Sequence, residues 1–203
     1  MVVRTPQVKS PETPNPEPVL FDAELFETFQ NLPKMIRSAS PKATLDNFQT
    51  HITESLQSLA DTPQLEECFA RVSLSRPIDS LERGHWLIDT TSWSLELQIG
   101  FWQALMMHVG DGSAGWGVWC TRESASDRQD AQIRPNREEA DLGTSAHKAF
   151  SSSICLVKVY CWGEVAKHVY LLLYIASRSQ VRKVGPTWVD AEGIPVIHMR
   201  SAG

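Results

Sequence analysis

The sequence predicts an α+β fold: a mostly antiparallel sheet with two helices on one face, preceded by two or three N-terminal helices and a disordered tail. Three observations carry this. Five of the twelve prolines fall within the first 18 residues, among Thr, Ser, Glu and Asn. Apolar residues then recur every three to four positions as far as residue 70. Beyond residue 84, short strand-like runs alternate with two longer helical patterns. The division is a tail over 1–20, a helical segment over 21–72, and an α+β domain over 73–203 with a flexible insertion at about 122–150.

The tail, MVVRTPQVKSPETPNPEP, has too few large apolar side chains to offset its ordering entropy by burial. Phe21, Leu25, Phe29, Leu32 and Ile36 follow the N-cap residue type Asp22 at helical spacing, and Pro33 ends or kinks that helix. Ser40-Pro41 opens a second helix, with Leu45, Phe48, Ile52, Leu56 and Leu59 as one apolar stripe before Asp61-Thr62-Pro63 stops it. A short third helix covers Gln64 to Ala70.

In the second half, His85 to Asp89 is a strand between Gly84 and Thr90-Thr91-Ser92. Ser94 to Val109 is a helix with Leu95, Ile99, Trp102, Met106 and Val109 on one side and Gly110 where a C′ glycine is favoured. Trp116 to Thr121 is a strand, and Ile154 to Trp162 another. Between them, Arg122 to Lys148 carries eleven charges and no aromatic residue, as a mobile insertion would. Glu164 to Arg178 is a helix, apolar almost all round from Val169 to Ala176 and hence buried on most sides. Thr187 to Asp190 and Ile194 to Met199 form a hairpin across Ala191-Glu192-Gly193.

The net charge of −5 gives no overall attraction for phosphate backbones or anionic membranes. The longest apolar run, Val169 to Ala176, falls far short of the roughly 20 residues a membrane helix needs, and the tail has no apolar core of a secretory signal. The expected location is therefore cytosol or nucleus. Cys68, Cys120, Cys155 and Cys161 match no metal or redox spacing, so no metal or cofactor is expected and the thiols read as buried packing. Gly112, Gly115 and Gly117 lie between a helix and a strand, the reverse of a phosphate loop. No nucleophile elbow or HExxH motif occurs; an enzyme would have to be built around Cys120 with His85 and His108. Thr5-Pro6, Ser10-Pro11 and Thr13-Pro14 are accessible to proline-directed kinases if the tail is disordered.

Tryptophan is the unusual feature of the composition. All seven lie beyond residue 85, and seven are many to bury. Trp116 and Trp119, three apart on an expected strand, face opposite sides of the sheet, so one needs a second layer, a partner or solvent. A bare indole suits a protein interface or a stacked base. The C-terminal segment is the one with net positive charge, and Arg178, Arg182 and Lys183 cluster after its helix.

The order HWLID, helix, glycine turn, WGVWC, and later ICLVKVYCW leading into a second helix, resembles the Bles-type proteins, a family whose fold is similar to that of the cap-binding translation initiation factors. The resemblance implies a curved antiparallel sheet backed by helices. In cap-binding factors two tryptophans sandwich the methylated base, and Trp93 and Trp119 are their counterparts by order, although no Trp-Glu dipeptide supplies the accompanying acid.

The function expected is a non-catalytic intracellular interaction module, a subunit or adaptor. It would dock a protein partner through Leu45, Phe48, Ile52, Leu56, Leu59, Trp116 and Trp119. The alternative is an RNA or nucleotide binder using Trp93, Trp119, Arg178, Arg182 and Lys183, and the third is the cysteine-dependent enzyme.

Overall fold

The computed structural model describes residues 23–38, 50–70, 72–124, 127 and 153–201. The expected tail, Leu45, Phe48 and most of the expected insertion lie outside them. In chain order the elements are α1 (Ala23–Asn31), β1 (Met35–Arg37), α2 (Glu54–Ala60), α3 (Pro63–Phe69), β2 (Val72–Leu74) and β3 (Arg83–Asp89). Then come α4 (Leu95–Gly110), β4 (Trp119–Ser124), β5 (Ile154–Trp162) and a single 3₁₀ turn at Gly163–Val165. α5 (Ala166–Ala176), α6 (Val181–Val184), β6 (Thr187–Asp190) and β7 (Pro195–Met199) complete the chain.

The seven strands form one sheet in the order β1-β4-β5-β3-β6-β7-β2, every neighbouring pair antiparallel. The α+β class is thus as the periodicities predict. Strand alternation divides the side chains cleanly. Gly84, Trp86 and Ile88 of β3, Cys120 and Arg122 of β4, and Val157, Val159 and Cys161 of β5 are buried on one face. Helices α4 and α5 cover that face, and their apolar sides complete a core built on Trp86, Trp102, Trp188, Tyr170 and Phe101, all essentially without solvent contact. Gly84 is required here, because a Cβ would sit 2.3 Å from the Trp188 ring and 2.5 Å from the Val189 carbonyl oxygen.

Three polar devices fix the helices in place. Ser94 accepts from the Leu97 amide as N-cap of α4. One turn later the buried Gln98 donates to the Thr90 and Trp93 carbonyls at 2.8 and 3.2 Å and accepts from the Ile154 amide at 2.9 Å, tying the β3–α4 turn to the start of β5. The Trp86 indole N–H donates to the Ala166 carbonyl at the first turn of α5.

The N-terminal helices join the helical layer rather than the other side of the sheet: α1 packs on α4, and α2 and α3 pack on α5. No described helix lies on the opposite sheet face. Within the expected second helix, residues 50–53 are not helical and Thr53 caps a helix that begins only at Glu54. Three of those four residues, Thr50, Ile52 and Thr53, are β-branched and disfavour helix, and each polar side chain there has a non-helical partner. The stripe it carries is internal. Leu56 is 1% exposed, and Ile52 and Leu59 are partly buried against the core, so these three are spent on the chain's own packing instead of a docking surface.

Two short strands, β1 and β2, escape the sequence reading and form the sheet's edges. The expected insertion also begins too early, since Arg122 to Ser124 belong to β4. Arg122 is buried, its Nε donating to the Pro33 carbonyl at 3.1 Å and its Nη2 to the Leu32 carbonyl at 2.6 Å and the Phe29 carbonyl at 3.3 Å. It stacks over the Phe29 ring at 4.7 Å. This guanidinium, with the Trp102 N–H bond to the same Pro33 oxygen, fastens α1 and β1 to the sheet. Among the described residues no helix is long and apolar enough to cross a membrane.

Candidate functional site

The sheet face turned away from the helices carries Arg83, His85, Leu87 and Asp89 of β3, Trp119, Thr121 and Glu123 of β4, and Lys158, Tyr160 and Trp162 of β5. None of these is buried. Strand register sets them in cross-strand rows. One row reads Arg37, Trp119, Tyr160, His85 across β1, β4, β5 and β3, each residue directly opposite the next. The Trp119 and Tyr160 rings stack with centroids 3.7 Å apart and planes 2° from parallel, and His85 follows at 4.9 Å from Tyr160. Partial burial, with the Lys158 charge nearby, lowers the pKa of His85, so the ring is neutral at neutral pH and completes an uncharged aromatic ladder.

The cations around this ladder differ in how they are satisfied. Lys158 pairs with Glu123 at 2.8 Å. Arg83 stacks over the Trp162 ring at 3.9 Å and donates to the Gly117 carbonyl at 3.1 Å. Arg37 makes no ion pair among the described residues; its Nε donates to the Met35 sulfur at 3.2 Å. Beside Trp119 a recess of about 340 Å³ is lined by Arg37, Ser38, Gly117, Val118 and Trp119. Gly117 has φ +79, and a Cβ there would lie 2.8 Å from Trp162 Nε1, so both its backbone and its neighbour demand glycine.

Trp116 does not share a strand with Trp119, because β4 begins only at Trp119. Trp116 lies in the preceding turn, edge-on to Trp162 at 6.2 Å and 5.1 Å from the His51 ring. His51 is wedged against Trp162 at 4.8 Å, with Nδ1 2.7 Å from Glu164 Oε2. Thr50 and the His51 amide also hold that carboxylate. This cluster fastens residues 50–53 to the end of β5.

The residues expected to form a nucleic-acid site are not brought together. Trp93 is buried in edge contact with Phe101, so it has no free face for a base and cannot clamp one with Trp119. Arg178 lines a recess of about 630 Å³ in the helical layer with Leu25, Phe101, Ala104 and His108. Arg182 has its Nε buried, and Lys183 follows it on α6. None of the three lines the recess beside Trp119.

The cysteine site is not formed either. Cys120 is fully buried on the helix-facing side, whereas His85 stands on the opposite face. Burial pushes the Cys120 thiol far above its ordinary range and that of Cys161 to about 12, the opposite of what a nucleophile needs. His108 approaches Ser113 at the end of α4. Among the described residues no group of three or more His, Cys, Asp or Glu side chains is arranged to hold a metal ion.

Sequence reasoning missed Tyr160, Arg37 and the row they form. Period-two alternation in ICLVKVYCW does place Lys158, Tyr160 and Trp162 on one side, but which strand lies opposite is a matter of register. No protein-family model, curated protein or solved structure matches this chain.

Proposed function

We propose that the chain is a non-catalytic interaction module, a subunit or adaptor, that docks a protein partner through the sheet face that no described helix covers. The observation that carries this is the row Arg37, Trp119, Tyr160 on three adjacent strands. Arg, Trp and Tyr are the residue types over-represented at binding hot spots, where a rigid ring or planar guanidinium gives large contact area at small entropic loss. Here they sit on adjacent strands of one sheet, flanked by Leu87 and by the mixed charges of Lys158, Glu123 and Asp89, as a polar rim would be. Met35, at the β1 edge of the same face, is 42% exposed. The resemblance to Bles-type proteins is consistent with a helix-backed sheet but adds no residue to this site.

A photoreactive phenylalanine analogue in place of Thr121, on the bare face, and another in place of Gln103, on α4, test the reading in cells that make the protein. The expected result is one discrete adduct from Thr121, lost in the Tyr160→Asp variant, and none from Gln103. Adducts from Gln103 alone would overturn it.

A further inference from the structure

We infer that the recess beside Trp119 receives an aromatic side chain of the protein partner, with a carboxylate next to it in the partner's sequence paired to Arg37. This rests on the open-face reading above and specifies its chemistry. The Trp119–Tyr160 stack covers one face of the indole. The other face looks toward β1, where register places Arg37 among the described residues. The 340 Å³ there lies at the small end of the roughly 300–1,000 Å³ of ligand pockets, a volume suited to one ring rather than to an extended ligand. Ser38, Gly117 and Val118 line it beside Arg37, and a fourth ring inserted there extends the row His85, Tyr160, Trp119 by stacking on the indole.

Charge decides between a peptide and a nucleic acid. Of the described cations on this face Lys158 is already paired and Arg83 is already engaged on Trp162, which leaves Arg37 for a ligand, while Glu123 and Asp89 stand on the same face. A strand of nucleic acid needs several phosphate contacts along its track. One carboxylate beside one ring needs a single guanidinium, which a planar fork serves well.

The probes are three capped tripeptide amides, Glu-Phe-Glu, Glu-Leu-Glu and Lys-Phe-Lys, and adenosine 5′-monophosphate, titrated into the full chain. The readout is the Trp119 indole N–H resonance, assigned through the Trp119→Phe variant, together with the phenyl protons of the peptide. Glu-Phe-Glu should bind with a Kd of roughly 1 mM, shifting Trp119 and moving its own ring protons upfield. Glu-Leu-Glu and Lys-Phe-Lys should bind at least several-fold more weakly, and Arg37→Gln should remove the advantage of Glu-Phe-Glu over Lys-Phe-Lys. Equal response to the Phe and Leu peptides, or tighter binding of the nucleotide, overturns the inference. If Trp119 is unmoved by Glu-Phe-Glu while cross-linking from Thr121 persists, this inference falls and the open-face reading stands; cross-links confined to the helix side remove both.

Discussion

Replacing Arg122 with Met tests whether one buried guanidinium holds the strand that carries Arg37. Met keeps most of the aliphatic stem, so the change isolates the charged head from packing. Three hydrogen bonds from a charged donor would each contribute about 1.5–3 kcal/mol in isolation, yet the sum overstates the loss. The Pro33 oxygen retains the Trp102 N–H and the Phe29 oxygen retains the Leu32 amide, so the Leu32 carbonyl, with its 2.6 Å bond, loses the most. Leaving it unpaired costs about 1–3 kcal/mol, and losing the cation over the Phe29 ring adds about 1 kcal/mol. Relief of the desolvation that lowers the Arg122 pKa offsets part of this. The expected destabilisation is about 2–4 kcal/mol, read from urea unfolding followed by tryptophan fluorescence. Native-state hydrogen exchange should also show amides of β1 opening far below the global unfolding free energy. A variant within about 0.5 kcal/mol of the parent, with β1 amides as protected as before, would refute the account of Arg122 as the fastening.

Gln98→Met should destabilise the fold by about 2–3 kcal/mol, because the buried Ile154 amide loses its acceptor, whereas Gln103→Met on the exposed side of α4 should change stability by less than about 0.5 kcal/mol in the same denaturation assay. Arg76 bridges Glu82 and Asp190. Asp190 is held below the ordinary carboxylate range first by the Ile194 amide and then by Arg76, and Glu82 first by Arg76. Groups with depressed folded-state pKa values contribute stability that is present above their unfolded values and is lost as pH falls through the folded ones. Arg76→Ala should therefore lower the melting temperature at pH 7 and make little difference once both carboxylates are protonated near pH 2; an equal loss at both values would sink the ion-pair account. Of the thiols, Cys120 and Cys161 should resist alkylation in the native protein at pH 8 and react fully in denaturant, as mass spectrometry of timed samples would show; rapid native labelling of Cys120 would contradict its burial.

The fold class was legible because it rests on local pattern. β5, α4 and the β6–β7 hairpin match the expected runs to within a residue or two, since each combines an apolar period with a turn or cap at its ends. β1 and β2 were not legible. A three-residue strand such as MIR has no periodicity to detect and exists because β4 presents a free edge beside it. Arg122 shows a different failure: within a run of charges it reads as solvated, and only the carbonyls at the end of α1 and in the turn that follows make its burial tolerable. The candidate site was half legible. That not every tryptophan would be fully buried follows from counting them, but that Trp119 is half-buried while Trp93 is buried is a tertiary outcome, and the stacking of Tyr160 on Trp119 depends on register, which no single strand encodes.

The place of β3 has a consequence for how the chain acquires its structure. This strand is central, yet both neighbours come from far downstream: residues 83–89 pair with 156–162 on one side, and residues 84–87 with 187–190 on the other. During synthesis β3 must wait, without a sheet to join, until nearly the whole described chain has left the ribosome, and Trp86 waits with it for the Trp188 opposite. Slow, late closure follows, with Trp86, Leu87 and Ile88 of β3 bare in the interval. Removing the last two strands should therefore leave an aggregating polypeptide and not a smaller version of the same sheet.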